Sequence, residues 1–458
     1  MKTKNSLIKT IVMVFALVVL GACSNDDDGE PIVAVDPTIV DLALDNSDLS
    51  ILVEALTAAN LVTTLQGDGP FTVFAPTNAA FQQFLTDNNF ASLGDIPNDV
   101  LTDVLLNHVI AGENLSTGLS TGYVSSLSTA GVDGRNLSLF IDTASGVSIN
   151  GVASVTSADN QGSNGVVHIV DGVIGLPNIV DHAVANGDLT SLVGALTDGG
   201  NTTFTDLLSD AGTNFTVFAP VNSAFDAFTN PNSNDLANIL SNHVIVGAAA
   251  ASTSLTNSYL TTAAENADGD ALSIYINTDN GVTFNGVSNV AAADIVATNG
   301  IIHAVDAVID LPDVTTFATA DPTFETLVAA LTAYPNFEYV AALQTPNGTA
   351  PAPFTVFAPT NDAFGDLLTD LGASGLGDID ETTLASVLEL HVIAGLNVRA
   401  EDLPGLDGNS VATLGGQNIV IDANAPAISG PDGIANPIVA TNVQAMNGVI
   451  HAISRVIR

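Results

Sequence analysis

The sequence predicts an α+β protein built as three tandem domains of like design, and three observations predict it. The stretch FTVFAPTNAAF at residues 71–81 returns as FTVFAPVNSAF at 215–225 and as FTVFAPTNDAF at 354–364. In each copy helix-period and strand-period patterns follow one another in the same order. The chain has 458 residues, too many for one core, whereas units of about 140 residues each bury most of their apolar surface. The expected division is a leader at 1–22, a tether at 23–36, and domains at 37–177, 178–312 and 313–458.

The leader comes first. Lys2, Lys4 and Lys9 precede ten uninterrupted apolar residues, Ile11 to Leu20. That run is too short to span a bilayer and suits an export signal. Leu20-Gly21-Ala22-Cys23 follows, with the only cysteine of the chain at its end, and resembles the lipobox of bacterial lipoproteins. The resemblance implies cleavage before Cys23, acylation of its thiol and anchoring to a membrane by acyl chains. Ser24 to Pro31 (SNDDDGEP) then reads as an acidic tether. An acidic run there resembles surface-export tags of some Gram-negative lipoproteins and implies the outer face of the outer membrane, a periplasmic linker being the alternative.

Each unit opens with a helical pattern sharing an L-V-x-A-L-T block, in which Leu52/Leu56, Leu192/Leu196 and Leu327/Leu331 stand four apart. The box described above follows. Phe71, Val73 and Phe74 form a strand apolar on both faces, as in the buried middle of a sheet, and the proline of Ala-Pro ends its pairing. Asn78, Asn222 and Asn361 stand where a helix N-cap is expected. Next come LTDVLLNHVIAG, LANILSNHVIVG and LASVLELHVIAG, read as helices carrying His108, His243 and His391 and stopped by a glycine such as Gly112. Alternating segments rich in Gly, Asn and Asp, read as antiparallel ribbons, complete the unit. Each closes on Asn-Gly and an apolar strand holding His168, His303 or His451. The two histidines of a unit are 60 residues apart in all three copies. Between the strand phenylalanine and the first histidine, the second unit lacks nine residues that include Asp95-Ile96 in the first and Asp378-Ile379 in the third.

The L-V-x-A-L-T helix, the F-T-V-F-A-P-[TV]-N-x-A-F box, the histidine block and the closing N-G-x-x-H strand together resemble the fasciclin domain, over residues 37–458. The resemblance implies wedge-shaped β-sandwiches with helices packed along one side, acting as extracellular adhesion and matrix-interaction modules. In animal members a tyrosine before the helix histidine contributes to receptor binding. Asn107, Asn242 and Leu390 stand there in this chain, so that contact does not carry over. The Asp-Ile pairs of adhesive members resemble Asp95-Ile96 and Asp378-Ile379, where capping of the following helix is the simpler reading.

Composition narrows the function. Hydrophobic residues make up 47% and charged residues 12%, with 49 acids against 7 bases and a formal net charge of −42. A surface so acidic repels nucleic acid and anionic membranes, and meets polyanions only through bridging cations. The repeat histidines lie in apolar stripes, where a ring satisfies buried backbone groups more often than it binds metal. His182, without a counterpart in the other units, is expected at the surface. No nucleophile elbow, phosphate loop or zinc spacing is present, so no enzyme is expected and no cofactor beyond loosely bound calcium at loops such as Asp268/Asp270. The expected function is lipid-anchored attachment to cells, matrix protein or polysaccharide at the cell envelope. The alternatives are glycan capture for an outer-membrane uptake system, ranked lower because the chain has no tryptophan and 5 tyrosines, and a spacer without a ligand.

Overall fold

The computed structural model describes residues 36–198 and 202–458; Cys23 and the acidic tether lie outside them. Each repeat forms one seven-stranded sheet, and in the first the order is β2-β1-β7-β6-β5-β4-β3. The strands are β1 (Phe71–Pro76), β2 (Val109–Ala111), β3 (Gly122–Ser125), β4 (Ser138–Asp142), β5 (Ser148–Ile149), β6 (Ala153–Gly162) and β7 (Gly165–Val170). The box strand β1 lies between neighbours on both sides, antiparallel to β2 and parallel to β7, and its pairing ends at Pro76. The later strands pair antiparallel. The second and third repeats have the same order.

Ten-residue β6 belongs to both halves of the sheet, and Asp159 at φ 61° marks a bulge between its two pairing registers. The bend brings the sheet back on itself. Ile110 of β2 bridges Ser126 just beyond β3, and the Leu127 N–H donates to the Val109 carbonyl at 2.8 Å. Phe74, Leu139, Ile141, Ile149, Val170 and Ile174 fill the space between the halves. A second core lies on the other face of β1 and β7, where Ile39, Leu52, Leu56, Leu101 and Leu105 of the helices meet Val73, Ala75 and Val167. The result is a sandwich with helices along one side, an α+β fold.

The bulge repeats at Asp294 and Asn442, each at φ 60°. In every repeat its side chain accepts a backbone N–H from a loop some forty residues earlier: Ser116, Ser252 and Ala400, all at 2.7 Å. Closure of the repeat depends on a tight approach. Gly165 follows Asn164 so closely against β1 that a Cβ there would lie 2.1 Å from the Phe71 carbonyl oxygen, which only glycine avoids.

One element differs from expectation. The first histidine-block helix ends at Leu106, and Val109–Ala111 is an edge strand instead of the last helical turn before Gly112. Val244–Val246 and Val392–Ala394 behave alike. The Val-Ile pair favours extended backbone, and β1 offers a free edge whose hydrogen bonds outweigh one more helical turn.

Candidate functional site

The recurrent polar residues mark every place where chemistry was expected, and the structure shows what each one touches. His108 follows its helix and is 1% exposed. Its Nδ1 lies 2.7 Å from the Val104 carbonyl oxygen and so donates; its Nε2 accepts the Ile174 N–H at 2.9 Å. His243 repeats this with Ile239 and Ile309, and His391 with Val387 and Ile457. Each ring ties the end of a helix to the strand exit 66 residues later. Burial holds all three near pKa 4, against a hydrogen bond that favours the charged form. They are neutral at neutral pH.

The strand histidines are tied as firmly. His168, His303 and His451 each point Nε2 at a carbonyl oxygen, of Asn114, Ala250 and Val398, at 2.9, 2.9 and 2.8 Å. Nδ1 of His168 and of His303 accepts the N–H of the bulge residue. The ring stacks on the box phenylalanine in each domain: Phe74, Phe218 and Phe357. The two histidines of a unit therefore serve different loops, and no group of three or more His, Cys, Asp or Glu able to hold a metal occurs among the described residues.

Asn78, Asn222 and Asn361 do not cap the helices they begin. Thr77 and Thr360 occupy those N-caps and accept from Ala80 and Ala363, while Val221 takes the place in the second repeat without a side-chain bond. The asparagines reach instead across the domain to the L-V-x-A-L-T helix. Oδ1 accepts the N–H of Ile51, Ser191 or Thr326 at 2.8, 2.8 and 2.9 Å. Nδ2 donates to the carbonyl of Ser47, Gly187 or Pro322. They satisfy orphan donors of a helix start about thirty residues earlier in the chain.

Asp95 and Asp378 are exposed at the ends of short 3-10 turns, whereas Ile96 and Ile379 are buried. Neither aspartate caps the following helix. Pro97 stands at that position in the first domain, and Asp380 in the third. Asp95 accepts from the Ser92 hydroxyl and Asp378 from the Ser374 N–H, so the carboxylates close their own turns.

His182 is not at the surface; its exposure is 0%. It sits on the opening helix of the second domain, Ile179–Ala185, at the position of Phe317 on Val314–Ala320 of the third. Each receives an aromatic ring from the preceding domain. Tyr123 meets His182 with centroids 5.6 Å apart, and Tyr259 meets Phe317 at 5.5 Å. The phenol of Tyr259 donates to Asp321 at 2.8 Å. Nearby, Ser138 accepts the Val296 N–H at 2.9 Å and Ser273 accepts the Gln444 N–H at 3.0 Å. Arg399 adds an ion pair with Asp270 at 2.7 Å across the second junction.

The sequence reading missed these junction tyrosines. It also missed Asn164, Asn299 and Asn447, whose Oδ1 accepts the first N–H of the opening helix from Ile39, Ile179 and Val314. Their presence before glycine in all three copies was the available signal.

The charged groups on the outside are mostly acids. Arg399, Arg455 and Arg458 pair with carboxylates of the chain itself. Among the described residues no helix is long and apolar enough to cross a membrane.

Comparisons with known proteins agree with this architecture. The fasciclin domain family model matches residues 47–177, 187–312 and 322–458. The chain is 27% identical over 414 residues to transforming growth factor-beta-induced protein ig-h3 of Oryctolagus cuniculus, covering 88% of this chain and 55% of that protein. It is 27% identical over 418 residues to periostin of Homo sapiens, covering 88% and 45%. Protein sll1483 of Synechocystis sp. is 39% identical over 137 residues, which are 30% of this chain and 72% of that protein. The chain thus spans about half the length of ig-h3 and periostin. With the box, the paired histidines and the closing Asn-Gly strand at equivalent places in three seven-stranded sandwiches, the chain belongs to the fasciclin domain family.

Proposed function

We propose that the chain is an adhesion protein of the cell envelope, anchored by acyl chains on Cys23 and attaching to extracellular protein or polysaccharide through its three fasciclin domains. The observation that carries this reading is the threefold family match across most of the chain. The histidine and asparagine side chains that recur in every repeat are engaged inside the fold, which favours contact over catalysis. An outer face dominated by carboxylates favours partners that are basic or bridged by divalent cations. Individual contacts are weak, and three domains on many anchored copies make them effective together.

Beads coated with residues 24–458 test the proposal. They are expected to adhere to cells or to polysaccharide-coated surfaces more than blank beads do, and more strongly with calcium than with chelator. Adhesion equal to that of blank beads in both conditions refutes it. Labelling of intact cells with a membrane-impermeant reagent tests the outer-face location separately, and mass spectrometry of the native N-terminus tests acylation.

A further inference from the structure

The third domain departs from the first between its L-V-x-A-L-T helix and its box strand. Tyr334, Phe337 and Tyr339 stand there, whereas residues 58–70 of the first domain carry no aromatic side chain. The three rings form a row. Centroids are 5.3 Å apart from Tyr334 to Phe337 and 4.9 Å from Phe337 to Tyr339, and each ring meets the next edge-on. All three are half-buried, packed on the core of the domain from one side and open to solvent on the other. Tyr123, Tyr259 and Tyr275, by contrast, are engaged at the junctions.

The row runs along the helix Glu381–Leu390. At one end the Tyr334 hydroxyl donates to the Ile379 carbonyl oxygen and the Asn336 amide to Glu381 at 3.1 Å. At the other the Tyr339 hydroxyl donates to Glu389 at 3.0 Å. Glu381, Ala385 and Glu389 stand four apart on one face of that helix, which sets the two carboxylates about 12 Å apart along its axis. Glu338, between Phe337 and Tyr339 in the chain, is exposed. The bonds from Asn336 and the tyrosines come from neutral donors, and the ion pairs among the described residues use other carboxylates. The negative charge around the row is therefore uncompensated within the chain.

An aromatic face attracts a cation placed over it, arginine more often than lysine, and a neighbouring carboxylate binds the same guanidinium through paired hydrogen bonds. A neutral saccharide would use the rings and leave the charge unused, and an anionic one would be repelled. We propose that this row is the docking surface for a basic segment of a partner protein, whose arginine side chains lie over the rings and pair with Glu381 and Glu389. An extended chain advances about 3.3 Å per residue, so arginines four positions apart span the two carboxylates. The inference rests on the adhesive reading for its extracellular partner and deepens it by naming that partner's chemistry.

The test is a fluorescence-anisotropy titration of a labelled, end-blocked peptide, Gly-Arg-Gly-Gly-Gly-Arg-Gly, with the full chain. Salt is held at about 150 mM, where attraction to a generally acidic surface is screened beyond about 8 Å. The peptide is expected to bind one to one with Kd on the order of 10–100 µM, and its citrulline counterpart, similar in shape but uncharged, should not bind measurably. E381Q/E389Q should weaken binding by about tenfold or more. Phe337→Leu keeps the apolar packing and removes the ring face, and should weaken it by about threefold to fivefold. E54Q/D99N removes the same charge from exposed positions of the first domain and should change the affinity by less than about twofold. The proposal is overturned by the absence of saturable binding, by citrulline binding as tightly as arginine, by an affinity unchanged in E381Q/E389Q or in Phe337→Leu, or by an equal loss in E54Q/D99N. It is also overturned if cellohexaose, a neutral saccharide, binds in place of the peptide and loses its affinity in Phe337→Leu. Bead adhesion without peptide binding refutes this proposal alone, and peptide binding without bead adhesion refutes the adhesive reading.

Discussion

A histidine held neutral by burial inside a core makes stability depend on pH, and the sign follows from which state takes up the proton. His108, His182, His243 and His391 are held near pKa 4 by burial, and His303 and His451 are also lowered. Between about 6.5 and about 4 the unfolded chain binds protons that the folded chain refuses, so stability is full above that window and falls as pH descends through it. Each fully buried ring sets an upper bound of about 3 kcal/mol on the loss. The second domain holds His182, His243 and His303 and should open first on acidification, read by hydrogen exchange of its strands at pH 7, 6 and 5. His182 isolates one contribution. His182→Phe reproduces the Tyr259–Phe317 ring contact of the next junction and removes a titrating group whose Nδ1 has no partner. The variant should be within about 1 kcal/mol of the parent at pH 7 and measurably more stable than it at pH 5. An acid response identical to the parent's would refute this account. The sequence placed six histidines in apolar stripes. It misplaced His182 because the ring that covers it comes from another domain, and no periodicity within its own helix reports that.

At the scale of the element, each domain is closed by asparagines that serve helices remote in sequence. Asn361 both accepts from Thr326 and donates to Pro322, so Asn361→Ala removes a helix cap and leaves a backbone donor without its partner. The expected cost is about 1–2 kcal/mol to the third domain, measured by urea unfolding. Asn361→Asp should lose less, since it keeps the bond from Thr326. Equal loss in the two variants would mean that Oδ1 is not the group that matters. The existence of a helix after Ala-Pro was legible from the proline that ends the strand and the capping residues that follow it. The true cap, one residue earlier, was not legible, because threonine and asparagine are both good caps and only the fold decides which one has another use. Val109–Ala111 was misread for a related reason: a short apolar run after a helix continues it unless a strand edge is at hand, and that edge is formed by residues some forty positions away. The Asp-Ile pairs failed as caps because Asp95 and Asp378 close the turns before them.

Across the three domains, two junctions obey one rule. A tyrosine on the third strand of one domain covers the opening helix of the next, backed by Phe140 in the first case and Tyr275 in the second. In the third domain the corresponding strand pair carries Ser410 opposite Val420, and Val420 is 40% exposed. That edge lacks the aromatic pair that the first two domains present to the domain after them. The second junction is the stronger, adding the Arg399–Asp270 pair and the donation from Tyr259 to Asp321. Tyr259→Ala removes the ring that fills this junction and should let the third domain swing, broadening the distance distribution between spin labels on the second and third domains while each domain stays folded. Tyr259→Phe keeps the ring and loses only the hydroxyl bond, so its distribution should stay close to the parent's. Raised salt should weaken Arg399–Asp270 only modestly, because both side chains are largely shielded from solvent. If the alanine variant keeps the parent's narrow distribution, the junction is held by the short Leu311-Pro312-Asp313 connection and the backbone bond from Met446 to Pro312, and the aromatic contact is a consequence of the arrangement instead of its cause.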